Sequence, residues 1–292
     1  PPPPQPRFDP NAPASKDWRA ALRAPGADSA SPPKHVSEPA PPANGASAVD
    51  ATPASEAATP SAAHRELATG EVATPSWLTA LEIPLGLSVG HERVRVEAGS
   101  PGVPASLGEI AESIAHCTAC ALHLSAIKHV PGEGDPHAHF VCVGEAPGQN
   151  EDESGRPFVG PAGELLTRIL GAIDLTREDV FICNVLKHRP PANRNPLPAE
   201  VQACRPFLEQ QLALVRPRVI LALGTFAAQT LLNTTQPLGT LRGQIHRYHG
   251  VPLIVTYHPA ALLRNEAWKR PTWQDVQLAR RIHDASREAN PS

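Results

Sequence analysis

The sequence has no apolar run that approaches the length of a membrane span, so we expect no transmembrane helix. Its N-terminus has no basic start followed by an apolar core, which argues against a secretory signal and makes the cytoplasm the default compartment. It has no methionine, so we expect that the initiator was removed or left out. Its five cysteines are an odd number, which argues against a complete disulfide framework.

The sequence also has little net charge of either sign. The formal charge is −3 at pH 7 and the pI is near 6.5. This balance gives no global argument for nucleic-acid binding, because domains that bind nucleic acids often carry a strong excess of basic residues. Any basic surface must therefore be local.

Proline is abundant but unevenly distributed. More than half of the 35 prolines lie before residue 105, in a stretch rich in Ala and Ser. Such a composition cannot bury enough apolar surface to offset its conformational entropy, so we predict a disordered arm over residues 1–105 and one folded domain over residues 106–292. Two islands in the arm, residues 16–23 and 76–81, are either transient helices or docking peptides that fold on a partner.

The remainder alternates between short apolar runs and segments with helical periodicity. This order is typical of a parallel sheet with helices on both faces. We therefore predict an α/β fold with three layers, α/β/α, around a central four-stranded parallel sheet. Strands are predicted over residues 140–144, 180–185, 218–223 and 252–257, and helices over residues 106–116, 162–173, 198–215, 225–232 and 273–289.

In such sheets, ligands bind beyond the carboxyl ends of the strands. That rule selects three segments: Gly144–Gly148, Asn184–Lys187 and His258–Pro259. The first is a Gly/Pro turn that lets the backbone approach a ligand closely, and the acidic residues after it suit water activation or a metal. An ordinary tight turn with a solvated acidic rim accounts for the same residues.

Three side chains near these segments suit the recognition of a base. Asn184 can both donate and accept, so it can read the edge of a pyrimidine. His258 can hydrogen-bond a developing anion. Phe158 lies in a Gly/Pro-rich loop, where it could stack on a base or fold back onto the sheet.

Four residues form a candidate metal-ligand set. Cys117 and Cys120 have CxxC spacing, and His188 and Cys204 follow later in the chain. By their chemistry, three thiols and an imidazole fit tetrahedral zinc or an iron–sulfur cluster equally well. A redox CxxC and unrelated thiols are the alternatives, although the pair follows a helix instead of opening one, as a thioredoxin-like pair would.

Together these segments resemble a family 4 uracil-DNA glycosylase, the iron–sulfur branch of the uracil-DNA glycosylase superfamily. The resemblance runs from about Ile114 to Asn265 and leaves the arm uncovered. It rests on GEAPGQNEDESGRPFVGPAGELL (residues 144–166), NVLKHRPPANRNPLP (residues 184–198) and HPAALLRN (residues 258–265).

The resemblance implies a role for each matching position. Glu145 would be the acidic participant in water positioning, Asn184 would bond the edge of uracil, and His258 would stabilise the departing uracil anion. Leu262, Leu263 and Arg264 would fill the gap left in the duplex. The remaining implied contacts are Gly144, Ala146, Pro147 and Gly148 in the water-positioning loop, and Phe158 stacking on the flipped base.

Two departures from related enzymes matter. The water-positioning loop has Ala146 where family 1 enzymes have Asp, so water activation must differ. Similar enzymes hold a [4Fe-4S] cluster with four cysteines, whereas His188 stands at the third position here. The resemblance therefore implies a cluster held by Cys117, Cys120, His188 and Cys204, with zinc as the alternative.

The sequence thus predicts a monofunctional DNA-repair hydrolase that flips uracil from DNA and leaves an abasic site. The alternative is a non-catalytic or self-crosslinking uracil-DNA binding protein of the same superfamily. The crosslinking branch carries a basic insertion after the His188 position, and this chain continues directly to Asn193, so we expect turnover. We also expect a cytoplasmic monomer that acts on single- or double-stranded DNA, without a membrane, and an arm that docks a repair or replication protein.

Overall fold

The computed structural model describes residues 74–90 and 104–289, which belong to one compact unit. Most of the predicted arm, including its island at residues 16–23, lies outside the described residues.

A seven-stranded sheet forms the middle layer. In chain order its strands are β1 (Leu85–Val89), β2 (Glu133–Gly134), β3 (Phe140–Gly144), β4 (Val180–Asn184), β5 (Val219–Leu223), β6 (Ile245–Tyr248) and β7 (Val251–Thr256). They are arranged as β1-β6-β7-β5-β3-β4-β2. The four predicted strands, β7, β5, β3 and β4, are neighbours and run parallel, which confirms the predicted central sheet.

Helices cover both faces of this sheet. They are α1 (Ser76–Thr79), α2 (Leu107–Ala115), α3 (Gln149–Ser154), α4 (Pro161–Gly171), α5 (Pro198–Val215), α6 (Thr225–Leu232), α7 (Leu238–Leu241), α8 (Pro259–Arg264) and α9 (Lys269–Ala289). Within the described ranges, none is long and apolar enough to cross a membrane. Ser106 caps α2 by accepting from the Glu109 amide at 3.2 Å, as the sequence predicted.

The core is divided between the two faces. Along β3, Phe140 and Cys142 contribute to one hydrophobic cluster, and Val141 and Val143 contribute to the other. Helices α4 and α9 cover the first face, and α5 and α6 cover the second. Strands β3, β4, β5 and β7 are buried on both faces, which explains why they read as continuous apolar runs.

Three strands were not predicted. Strand β2 pairs antiparallel with β4, β6 pairs antiparallel with β7, and β1 pairs parallel with β6. Helix α1 and strand β1 lie before residue 105, in the segment that the sequence assigned to the arm. They are built into the domain because Leu78 is fully buried in the first core cluster and Leu85–Val89 adds an edge strand.

Candidate active site

A cavity of about 400 Å³ opens at the carboxyl ends of β3, β4 and β7. Its volume lies within the range of roughly 300–1,000 Å³ typical of small-molecule sites. Eight of the nine predicted catalytic and substrate-binding residues line it, and the ninth, Gly144, lies beneath it. The lining residues are Glu145, Ala146, Pro147, Gly148, Glu151, Phe158, Ala162, Asn184, Pro190, Asn193, Arg194, His258, Ala260, Ala261 and Arg264.

Gly144 ends β3 and has no room for a side chain. A Cβ there would lie 2.3 Å from Asn184 Oδ1 and 2.5 Å from Cζ of the Phe158 ring. The bare backbone therefore lets the amide and the aromatic ring approach the same strand end. The next residue, Glu145, is partly buried at the cavity wall, and this burial raises the pKa of its carboxyl group.

Asn184 ends β4 and pairs in register with Gly144. Its side chain is only 1% exposed, and its Oδ1 has no hydrogen-bond partner among the described residues. A buried amide oxygen without a donor costs about 1–3 kcal/mol, so this atom is an acceptor prepared for a ligand. The backbone carbonyl of Asn184 is held from below by Nζ of the buried Lys187, at 2.6 Å.

Phe158 lies in a constrained loop, and its ring packs against the end of β3 at Gly144. Its φ is +52°, which is a left-handed conformation that aromatic residues rarely adopt. Its ring is largely buried, and its centroid lies 5.6 Å from that of His258, with an angle of 31° between the planes. Phe158 and His258 therefore pack directly against each other in the cavity wall, and a planar ring could contact the exposed side of this pair but not lie between its members.

His258 follows β7 and caps α8. Its Nδ1 accepts from the Ala260 amide at 3.2 Å, so the neutral ring carries its proton on Nε2. Removal from bulk water, and then the charge of Arg264, lower the pKa of His258 to about 4, against a smaller opposing effect of Glu151. The imidazole is therefore an uncharged donor at neutral pH.

Helix α8 places only two of its three predicted DNA-contacting side chains where they can reach DNA. Arg264 lines the cavity and Leu263 is 40% exposed, so both can reach a ligand outside the protein. Leu262 is fully buried in the first core cluster. The expectation that Leu262 enters the duplex is therefore wrong, because its side chain is already part of the core.

Two acidic residues after the Gly/Pro turn, Glu151 and Asp152, accept hydrogen bonds from backbone amides of the protein. Glu151 accepts from the Gly148 amide through Oε2 and from the amides of Val159 and Gly160 through Oε1. Asp152 is buried and accepts from the amides of Ile127 and Lys128. Glu151 therefore joins the turn after β3 to the Phe158 loop, and neither carboxylate forms a solvated rim.

Asn193 and Arg194 also line the cavity, although the sequence assigned them no role there. Arg194 is oriented by Glu200, whose carboxylate accepts from Nη1 at 2.9 Å and from Nη2 at 2.5 Å. Asn193 has a φ of +55°, and its Oδ1 accepts from Nε of Arg189 at 2.7 Å. Their position at the rim could not be read from the chain, because it depends on the path of the loop after β4.

The predicted metal ligands are only partly brought together. Burial raises the pKa of the Cys204 thiol, a hydrogen bond and the charge of Lys187 oppose this, and Cys120 and Cys117 add to it, so these two thiols lie within electrostatic range of Cys204. His188 is buried, and burial, together with His129 and His123, lowers the pKa of its ring. Across residues 74–90 and 104–289, no three His, Cys, Asp or Glu side chains are arranged to hold a metal ion.

A second concavity, of about 40 Å³, lies between α5 and the strands β6 and β7. It is apolar and contains none of the predicted site residues. Two further concavities, each of about 440 Å³, are slightly larger than the cavity at the strand ends, but they too contain none of the predicted site residues. The cavity at the strand ends is therefore the candidate active site.

Known proteins match this domain closely. The family model of the uracil DNA glycosylase superfamily matches residues 131–277, which include every lining residue of the cavity. Among curated relatives, the type-4 uracil-DNA glycosylase of Archaeoglobus fulgidus is 46% identical over 166 residues, covering 54% of this chain and 83% of the relative.

Two further relatives carry the same description. The type-4 uracil-DNA glycosylase of Pyrobaculum aerophilum is 44% identical over 180 residues, covering 59% of this chain and 92% of the relative. That of Thermotoga maritima is 43% identical over 175 residues, covering 59% of this chain and 91% of the relative. On the strength of these matches and of the cavity that they include, the chain belongs to the uracil-DNA glycosylase superfamily and, within it, to the type-4 enzymes.

Proposed function

We propose that this chain hydrolyses the N-glycosidic bond of uracil in DNA and leaves an abasic site for base excision repair. The observation that carries the proposal is the buried, unpartnered Oδ1 of Asn184 in the same cavity as a neutral His258. Membership of the type-4 family supports the same reaction. The chemistry requires that the base leave the duplex, because the glycosidic bond is not accessible inside the stack.

Asn184 and Phe158 recognise the flipped base. Uracil has an N3–H donor between two carbonyl acceptors, and that donor satisfies Oδ1 of Asn184. Cytosine has an acceptor at the same ring position and leaves the amide oxygen without a donor. Phe158 stacks on the face of the base, an interaction that is worth about 1–3 kcal/mol per base.

His258 and Glu145 act on the bond itself. The Nε2–H of the neutral His258 ring donates to the carbonyl oxygen on which negative charge develops as uracil leaves. The ionised form of Glu145 orients a water toward the sugar. It thereby takes the role of the Asp that family 1 enzymes have at the position of Ala146. Gly144, Ala146, Pro147 and Gly148 form the loop that holds this water.

The outer contacts hold the DNA. Arg264 and Leu263 occupy the gap that the flipped nucleotide leaves, in single- or double-stranded DNA. No lysine among the described residues lines the cavity, which supports a monofunctional enzyme without a lyase step. The buried Lys187 is committed to the carbonyl of Asn184 and to Oε1 of Gln211.

The proposed cofactor is a [4Fe-4S] cluster held by Cys117, Cys120 and Cys204, with His188 as the fourth ligand and zinc as the alternative. The chemistry of three thiols and one imidazole supports this donor set and fits either centre. When bound, the cluster would fasten the segment after α2 to α5 and contribute folding energy.

The proposed catalytic domain spans residues 106–292, and the described segment 74–90 adds a helix and an edge strand to it. We place the enzyme in the cytoplasm or on the nucleoid, as a monomer whose DNA substrate is its main partner and which needs no membrane. We propose that the arm over residues 1–105 docks a repair or replication protein through its island at residues 16–23, because the island at residues 76–81 packs into the domain as α1.

A labelled oligonucleotide with one uracil tests the function. The expected result is release of free uracil and an alkali-sensitive abasic site, with the enzyme free to turn over. A shifted band without an abasic site would indicate a binding protein. A protein–DNA adduct that survives denaturation would indicate the self-crosslinking alternative.

A further inference from the structure

The backbone around Phe158 is held in an unfavourable conformation. Its φ of +52° is left-handed, and such a conformation persists in an aromatic residue only where the surroundings fix it. Gly163 leaves the space that this requires, since a Cβ there would lie 1.8 Å from the Phe158 carbonyl oxygen. Space alone does not hold the loop, so other groups must.

Two side chains bond four consecutive residues of this loop. Arg177 donates from Nη1 to the carbonyl of Phe158 at 3.0 Å and from Nη2 to the carbonyl of Pro157 at 2.6 Å. Glu151 accepts from the amides of Val159 and Gly160 at 2.8 and 3.0 Å. Arg177 is thus the side chain that fixes the residue before Phe158 and Phe158 itself.

Arg177 is in turn fixed by Glu133. Oε1 of Glu133 accepts from Nε of Arg177 at 2.9 Å and also from Nη2. Glu133 lies on β2, where it pairs with Ile182 of β4, and β4 ends at Asn184. The stacking residue and the amide that reads the base are therefore anchored on the same pair of strands.

Arg156 contacts the same carboxylate from the solvent side. Its Nε donates to Oε2 of Glu133 at 2.8 Å, and its side chain is 63% exposed. Burial draws the pKa of Glu133 upward, but its bonds to Arg156 and Arg177 outweigh burial and hold the pKa below its ordinary value. Within the described part of the chain, the Arg156 side chain bonds Glu133 and not the carbonyls of Pro157 or Phe158, which makes it a matched control.

We propose that Glu133 and Arg177 form a positioning pair that sets Phe158 at the stacking distance from the flipped base. The inference rests on the proposed function, in which Phe158 stacks on uracil. Neither residue of the pair touches the base, so their effect on excision must pass through Phe158. Their removal is therefore expected to resemble the removal of the ring.

The test compares single-turnover excision by the full chain and by its variants Arg177→Ala, Phe158→Ala and the double variant. We expect each single variant to lower the rate at least about tenfold, in line with the loss of one base–aromatic stack. We expect the double variant to be no slower than Phe158→Ala, because the positioning pair has no ring to position once Phe158 is replaced. Rates that multiply in the double variant would overturn the proposal.

Three further measurements separate positioning from general stability. Arg177→Lys keeps the charge beside Glu133 but reaches fewer carbonyls, so it should recover part of the rate. Free uracil should inhibit Arg177→Ala more weakly than the unaltered enzyme, because ground-state stacking is reduced. Arg156→Ala should retain the rate and the sensitivity to uracil, and a loss in this control equal to that in Arg177→Ala would overturn the proposal.

The outcomes distinguish the two levels of inference. If the unaltered chain releases no uracil, the proposed function and this inference both fail. If it releases uracil, and Phe158→Ala is slow while Arg177→Ala and Arg177→Lys are normal, only the positioning role of Glu133 and Arg177 fails.

Discussion

At the scale of single residues, His258 contributes a neutral donor. Its pKa of about 4 lies below the ordinary value of roughly 6.5, so the ring is almost wholly uncharged at neutral pH. Because Nδ1 accepts from Ala260, the single proton stays on Nε2. The donor therefore persists across neutral pH, and it is not the group that sets the pH dependence there.

Glu145 is expected to set the acid side of the pH profile. It orients water only when ionised, and burial raises its pKa above the ordinary value for glutamate. The excision rate should therefore fall as the pH is lowered through that raised pKa and level off above it. Glu145→Gln should be slower and lack this acid limb when single-turnover rates are measured across pH. An unchanged acid limb in Glu145→Gln would assign it to another group.

The sequence identified the residues that end strands and left out those whose roles depend on distant partners. Asn184 and His258 were predicted because a parallel sheet brings its strand ends to one edge. Glu151 was read as part of a solvated rim, yet it bonds loops at both Gly148 and Gly160. Lys187 was not predicted to be buried, because its partner Gln211 lies on a later helix.

At the scale of elements, the turn after β3 lets the Asn184 amide and the Phe158 ring approach the strand end because it begins with a glycine, Gly144. Gly144→Ala should lower the excision rate at least about tenfold, which is the loss expected from one displaced base–aromatic stack. The reason is that the new methyl group would displace the Asn184 amide, the Phe158 ring or both. Gly171→Ala is the matched control, because a Cβ there meets nothing within 4 Å. Oligonucleotide cleavage with parallel melting curves checks both. A fully active Gly144→Ala would contradict the packing described for the cavity.

The elements that the sequence predicted are those with strong local patterns. Strands β3, β4, β5 and β7 are buried on both faces and appear as apolar runs. Strand β2 has two residues, and β6 mixes His and Arg with apolar residues, so neither carries such a pattern. Strand β1 follows a proline-rich stretch, and its partner β6 lies far along the chain, which is a long-range pairing that composition cannot indicate.

At the scale of the whole molecule, the segment 74–90 stabilises the domain. Leu78 is 1% exposed and packs in the first core cluster with the face of α9. Leu78→Ala should lower the free energy of unfolding by about 2–5 kcal/mol, the usual cost of a large-to-small core change. Leu85→Ala, at a residue that is 47% exposed, is the control. Chemical denaturation that shows equal stability for both variants would place residue 78 outside the core.

The proposed cluster is a second whole-molecule feature. Anaerobic purification, followed by an absorbance spectrum and by analysis of iron, sulfide and zinc, should give iron, sulfide and a broad band near roughly 400 nm. His188→Ala should retain less iron, and His116→Ala, at an exposed histidine outside the proposed ligand set, should retain the full amount. Zinc without sulfide would replace the cluster with the zinc alternative, and a chain free of both would discard the metal centre.

The central claim is that this chain excises uracil from DNA and that Asn184 and His258 contribute to the reaction. The release of free uracil from a uracil-containing oligonucleotide measures it directly. The unaltered chain should release uracil and leave an abasic site, and Asn184→Ala and His258→Ala should each be at least about tenfold slower at unchanged melting temperature, as befits the loss of one charge-stabilising donor or one base contact. Near-normal rates in both variants, or no uracil release by the unaltered chain, would contradict the account.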